Sequence, residues 1–134
     1  MHQQVGFVNG CFDILHVGHI EMLRYAKSLC DHLVVAIDTD DRVKQSKGPT
    51  RPFNTQNDRQ HMLMALKAVD EVVIFSTDEE LVSLVKHYKP DTMVVGSDWE
   101  NKRVIGSEHA KELKFYRKID GYSTTKILER SSSR

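Results

Sequence analysis

Asn9-Gly10-Cys11-Phe12-Asp13-Ile14-Leu15-His16-Val17-Gly18-His19 follows directly on the apolar run at residues 5–8 and opens a stretch of helical period. A strand that passes through a glycine-containing turn into a helix is the first unit of a parallel sheet covered by helices. In such sheets ligands bind outside the carboxyl ends of the strands, and a helix N-terminus offers N–H groups and the positive end of its dipole to an anion. His16 and His19 stand three residues apart at that terminus, and Gly18 between them removes a side chain that would block close approach. Both imidazoles can then face one phosphate. Two structural histidines are one competing reading. A zinc pair is the other, but it needs three or four ligands, and no third is spaced with these two. The expectation is a phosphate site with no protein-bound metal.

Working outward, short apolar runs rich in β-branched and aromatic residues fall at 5–8, 33–37, 71–75, 92–95 and 114–116, and each is read as a strand. Between them Met62, Ala65, Leu66 and Val69 form one helical stripe, and Leu81, Leu84, Val85 and Tyr88 another. Asp78 is the expected cap of the second helix and Pro90 its stop. Residues 45–57 carry Lys47, Gly48, Pro49, Arg51 and Pro52 without apolar periodicity, and read as a long polar loop of the kind that serves function. Gly121 to Thr125 precede a short amphipathic segment with Ile127 and Leu128. The pattern is that of a single α/β domain over residues 1–130, with 131–134 as a frayed tail.

With 19 basic and 19 acidic residues the chain has no net field to draw it to nucleic acid or to an anionic membrane, so any anion site must be local. No apolar run approaches the roughly 20 residues of a membrane span, and Met1-His2-Gln3-Gln4 does not resemble a signal peptide, so a cytoplasmic location is expected. Cys11 and Cys30 lack metal-ligand spacing and read as reduced thiols, Cys30 on an apolar helix face and Cys11 as filler rather than nucleophile. The other five histidines, His2, His32, His61, His87 and His109, read as surface residues. A dinucleotide-binding Gly-x-Gly-x-x-Gly is absent after the first strand.

The His16-Val17-Gly18-His19 element resembles the His-x-Gly-His signature of the cytidylyltransferase-like nucleotidylyltransferases. Lys44, Lys47-Gly48, Arg51-Pro52, Asn54 and Arg59 resemble, in order and spacing, the segment after the second strand in the heptose 1-phosphate adenylyltransferase domain. Gly96-Ser97-Asp98-Trp99, Gly106-Ser107-Glu108 and Asp120-Gly121-Tyr122-Ser123-Thr124-Thr125 resemble that domain's later motifs, so the likeness covers nearly the whole chain. Glycerol 3-phosphate cytidylyltransferase is the competing branch. Residues 98–102 and 123–127 resemble both, but where that branch has Arg-Thr-Glu-Gly this chain has Lys118-Ile119-Asp120-Gly121, a point charge in place of a forked donor.

The resemblance implies a Rossmann-like, doubly wound, five-stranded parallel sheet. It also implies a nucleotidylyltransferase that joins a nucleoside triphosphate to a small phosphorylated acceptor, ATP and a heptose 1-phosphate-like sugar being favoured. A nucleotide-binding sensor without catalysis is the alternative of another class. His16, His19 and Lys44 are the implied catalytic groups. Asn9, Gly10, Cys11, Phe12, Gly18, Arg59, Gly96, Asp98, Tyr122, Ser123, Thr124 and Thr125 are assigned to the nucleotide. Asp13, Asp38, Lys47 and Arg51 are assigned to the acceptor. Mg2+ is implied as an ion arriving with the triphosphate. Relatives of this fold are often dimers, so a homodimer is expected, with Phe53 as a contact.

Overall fold

A computed structural model describes residues 2–117; the Lys118 to Thr125 motifs and the expected tail lie outside the described residues. The chain runs β1 (Val5–Gly10), α1 (Val17–Ser28), β2 (His32–Asp38), α2 (Asp40–Lys47), α3 (Gln56–Met64), β3 (Glu71–Phe75), α4 (Asp78–Tyr88), β4 (Thr92–Gly96) and β5 (Glu112–Tyr116), with single 3-10 turns at Ser97–Trp99 and Ser107–His109. The five strands pair in parallel in the order β3-β2-β1-β4-β5. This is the Rossmann-like architecture the resemblance implies. The order reverses at β1, so the crevice beyond its carboxyl end lies between the diverging β2 and β4 connections.

The strands are legible as continuous apolar runs because both faces of the sheet are covered. Leu33 to Ile37 are all 0% exposed, and alternate side chains serve opposite cores. Val8, Leu33, Val35 and Ile37 pack with Leu23 and Ala26 of α1 and Leu63 of α3. Phe7, Val34, Ala36 and Met93 pack with Leu81 and Val85 of α4. Each such fully buried aliphatic side chain contributes about 1.5–3 kcal/mol relative to exposure.

Four local expectations are corrected. Residues 45–47 belong to helix α2 rather than a loop. Thr39 caps this helix by accepting from Arg42 N–H, Asp40 and Asp41 occupy its first turn, and Lys44 and Lys47 its last. Only Val43 is buried, so α2 shows no apolar stripe. Helix α3 starts earlier than the expected stripe and stops at Met64, with Ala65 as C-cap, so Leu66 and Val69 follow it in turns. Its buried positions are Arg59 and Leu63. Thr77, not Asp78, caps α4 by accepting from Glu80 N–H, while the helix does end at Tyr88 ahead of Pro90, through Lys89 in the left-handed region at φ 47°.

Cys30 also lies just beyond α1 rather than on it, its thiol donating to Ala26 O at 3.4 Å. It closes on Gly6, where an added Cβ would stand 2.7 Å from Sγ. Gly6→Ala is therefore expected to cost about 1–3 kcal/mol in chemical denaturation. The double variant Gly6→Ala/Cys30→Ala should recover most of that loss; equal losses in both variants would refute the clash.

Candidate active site

The loop from Gly10 to His16 is shaped by a close approach. Phe12 adopts a left-handed φ of 50°, and its ring comes so near Gly10 that a Cβ there would meet it at 3.0 Å. Phe12 is 4% exposed and sets its ring edge toward His19, centroids 5.0 Å apart. It lies in the core cluster and supports the histidine, and it also lines the cavity beside it.

His16 occupies the N-cap position of α1 and Gly18 is the second residue of the helix. His16 N–H donates to His19 Nδ1 at 3.3 Å, and the two rings stack at 3.7 Å with 23° between planes. Because Nδ1 of His19 accepts, a neutral ring carries its proton on Nε2, which makes Nε2 the donor. The pair is thus oriented by the helix start itself.

A cavity of about 460 Å³ opens beside it, at the carboxyl ends of β1, β2 and β4. Asn9, Gly10, Cys11, Phe12, Asp13, His19, Asp38, Lys47, Gly96 and Asp98 all line it, so the chain folds ten of the expected residues around one space. Burial pushes the Cys11 thiol up, with Lys47 and Arg59 opposing more weakly, which disfavours a nucleophilic thiolate. Asn9 Oδ1 is buried without a hydrogen-bond partner among the described residues.

Asp13 lines the cavity but is held by the protein itself, and other expected residues stand outside the lining. Asp13, assigned to the acceptor, is 1% exposed, and its carboxylate accepts from Arg51 Nε at 2.9 Å, Phe53 N–H at 2.9 Å and Asn54 N–H at 2.8 Å. Asn54 Nδ2 returns a bond to Asp13 O. Arg51, also assigned to the acceptor, meets the buried charge through its Nε, while its Nη2 is buried without a hydrogen-bond partner among the described residues. Arg59, assigned to the leaving phosphates, is 0% exposed. Its guanidinium donates to Asn54 O and Cys11 O, both at 3.0 Å, and to Asp40 Oδ1 at 2.9 Å. It binds three segments of the protein and does not line the cavity. Lys44 is exposed on α2 and also stands outside the lining, whereas Lys47, one helical turn later, is part of it.

Sequence reasoning missed Arg42. It lines the cavity beside Asp38, and the available signal was the i,i+4 acid–base spacing from Asp38. The Gly-Ser-Glu motif also takes a structural meaning. Gly106 has φ 84°, and a Cβ there would stand 2.8 Å from Val85 Cγ2, so the glycine seats the turn that brings Val104 and Ile105 to the cavity. Trp99 is 46% exposed at the rim, with Lys102 Nζ 5.8 Å from its ring centroid. Among the described residues no group of three or more His, Cys, Asp or Glu is arranged to hold a metal ion, and no helix is long and apolar enough to cross a membrane.

The Cytidylyltransferase-like family model matches residues 7–131. The chain belongs to the cytidylyltransferase-like family. Membership supports a nucleotidyltransferase enzyme. Among its cytidylyltransferase-like relatives, the bifunctional protein HldE of Sulfurimonas denitrificans is 51% identical over 128 residues, which is 96% of this chain and 27% of that protein. The HldE of Campylobacter fetus is 51% identical over 124 residues, 92% of this chain and again 27% of the relative. The chain therefore spans about a quarter of the length of these relatives. The crystal structure of a lipopolysaccharide core biosynthesis protein from Thermoplasma volcanium superposes with a TM-score of 0.72 at 27% identity, covering 89% of this chain and 100% of that one.

Two expectations follow for the clasp. Arg59→Ala should destabilise the fold by about 2–5 kcal/mol, since it empties the space of a fully buried side chain and leaves two carbonyls unsatisfied, while Asp40, 30% exposed, keeps the Gln56 N–H. A fully stable variant that had lost only turnover would return Arg59 to the phosphates. Burial pushes the Asp13 carboxyl up, but the N–H groups of Asn54 and Phe53 and the Arg51 guanidinium outweigh it and hold the group below its ordinary value. A carboxyl depressed in the folded state stabilises above its unfolded pKa of about 3.9, and that stability is lost as pH falls through the folded value. Asp13→Asn should accordingly be less stable at neutral pH and lose less on acidification than the parent in parallel thermal melts.

Proposed function

We propose that the chain transfers the nucleoside monophosphate of ATP to a heptose 1-phosphate-like sugar phosphate, releasing pyrophosphate and giving an ADP-sugar. The observation that carries the reaction is the stacked His16–His19 pair at the start of α1, beside a cavity at the sheet's switch point. The choice of acceptor is supported by the sequence likeness at Lys47-Gly48, Arg51-Pro52 and Asn54, and by the identity with the HldE proteins.

In this reading an acceptor phosphate oxygen attacks the α-phosphorus in line. The new P–O bond forms as the bond to pyrophosphate breaks, and the electron pair leaves with pyrophosphate. Negative charge gathers on the equatorial oxygens, where His19 Nε2 and the adjoining His16 ring supply donors held in place before reaction. The acceptor phosphate has a second pKa of about 6 and is already ionised near neutral pH, so no general base is required. Mg2+ would arrive with the triphosphate substrate and would partly neutralise its charge. Lys47 on the cavity wall supplies a cation, and Lys44, outside the lining, a longer-range one; both are exposed on α2. A cytoplasmic homodimer belongs to the same proposal, with Phe53, 70% exposed, as a contact.

The test is pyrophosphate release with ATP and CTP against heptose 1-phosphate and glycerol 3-phosphate. Turnover confined to ATP and heptose 1-phosphate is expected. Turnover confined to CTP and glycerol 3-phosphate would replace the proposal with the cytidylyl reading, and nucleotide binding without any turnover would replace it with a sensor. His16→Ala should lower turnover about ten- to thousandfold, the range for losing one electrostatic donor, with a melting temperature near the parent's. Unchanged turnover would remove His16 from the mechanism.

A further inference from the structure

The two walls of the cavity carry different groups. Beyond β4 the lining presents Trp99, Val104 and Ile105, apolar groups suited to a planar ring, with Asp98 beside them, whereas beyond β2 it presents Asp38 and Arg42. Arg42 is fixed at three points. Its Nε donates to Asp38 Oδ2 at 3.0 Å, its Nη2 donates to Asp78 Oδ1 at 2.6 Å, and the guanidinium carbon sits 5.0 Å from the Phe75 ring centroid. Asp38 makes no other hydrogen bond among the described residues, which leaves its Oδ1 open, and Arg42 Nη1 is likewise without a partner there. Both side chains are about four-fifths buried, at 19% and 24% exposure.

A carboxylate oxygen only accepts and a guanidinium N–H only donates. An alcohol does both at once, so it complements such a pair, while a phosphate oxygen would be repelled by Asp38. Charge-assisted bonds of this kind are among the stronger ones, and a site built for a hydroxyl discriminates steeply against an analogue without it. We propose that Asp38 and Arg42 form a hydroxyl-reading subsite that selects the polyol portion of the acceptor, with Arg42 also holding Asp38 in its working orientation. This rests on the reading of the acceptor as a polyhydroxylated phosphate, and it assigns the β2 wall to the acceptor's hydroxyls rather than to its phosphate.

The experiment is a cycle of kinetic measurements on the parent, Asp38→Ala and Arg42→Lys, each with the full acceptor and with analogues lacking one hydroxyl at a time. Asp38→Ala leaves Arg42 its bond to Asp78, and circular dichroism verifies the fold. The acceptor KM should rise by roughly 10- to 100-fold in Asp38→Ala, as for loss of a hydrogen bond to a charged group, with KM for ATP unchanged. One deoxy analogue should be a much poorer substrate for the parent yet lose nothing further in Asp38→Ala, the mark of direct coupling. Arg42→Lys should fall between, because a point charge cannot keep both carboxylates in register. Equal losses for every analogue in parent and variant, or a KM for ATP rising in step, would overturn the subsite. The cycle runs on whichever acceptor the parent turns over. Glycerol 3-phosphate as that acceptor would sink the heptose reading and still judge the subsite, while no turnover with either acceptor would overturn both.

Discussion

Asp13 carries a charge with almost no contact with solvent, which is tolerable only because three donors converge on it from a segment some forty residues later. The same segment gives Asn54 O to Arg59, and Arg59 in turn reaches Cys11 O on the β1–α1 loop and Asp40 at the start of α2. Asp40 and Gln56 then exchange two further bonds, Asp40 N–H to Gln56 Oε1 and Gln56 N–H to Asp40 Oδ1. The histidine loop, the cationic helix and the polar segment are therefore one hydrogen-bonded body. Satisfying one buried carboxylate and one buried guanidinium fixes all three at once, and the lysines of α2 and the imidazoles of α1 acquire a defined relation although no direct contact between them is needed.

This arrangement suits a reaction in which the protein forms no covalent bond and must chiefly hold charges at set distances. The cavity's polar side is built from side chains that are themselves braced: His19 by the His16 N–H and the Phe12 edge, Asp38 by Arg42, and Arg42 by Asp78 and Phe75. Its apolar side is braced by packing, with Gly106 set against Val85.

The sheet was legible from the sequence because a strand buried on both faces leaves an uninterrupted apolar run, as in Leu33 to Ile37. The histidine pair was legible because its setting after β1 specifies both a helix start and a ligand crevice. Helix α2 was not, since capping by Thr39 and a favourable charge gradient hold it while only Val43 is buried. Without the helix, the step of one turn that brings Lys47 to the cavity and leaves Lys44 outside could not be read. Arg59 illustrates a second limit. Two of its three partners are main-chain carbonyls, and a carbonyl has no letter of its own, so nothing in the sequence set these internal bonds against the phosphate role that the resemblance implied for Arg59.

Gly106 shows how far the wall of the site extends into the rest of the fold. Its left-handed backbone lies directly on Val85, a core residue of α4 on the face of the sheet opposite α1. The pocket's apolar rim is thus seated on the second hydrophobic core, and a change in side-chain volume at Val85 would be transmitted to the rim at Val104 and Ile105 although Val85 itself does not line the cavity. Grafting the 104–107 turn between relatives would consequently transplant a shape only where the recipient's α4 offers the same valine-sized floor.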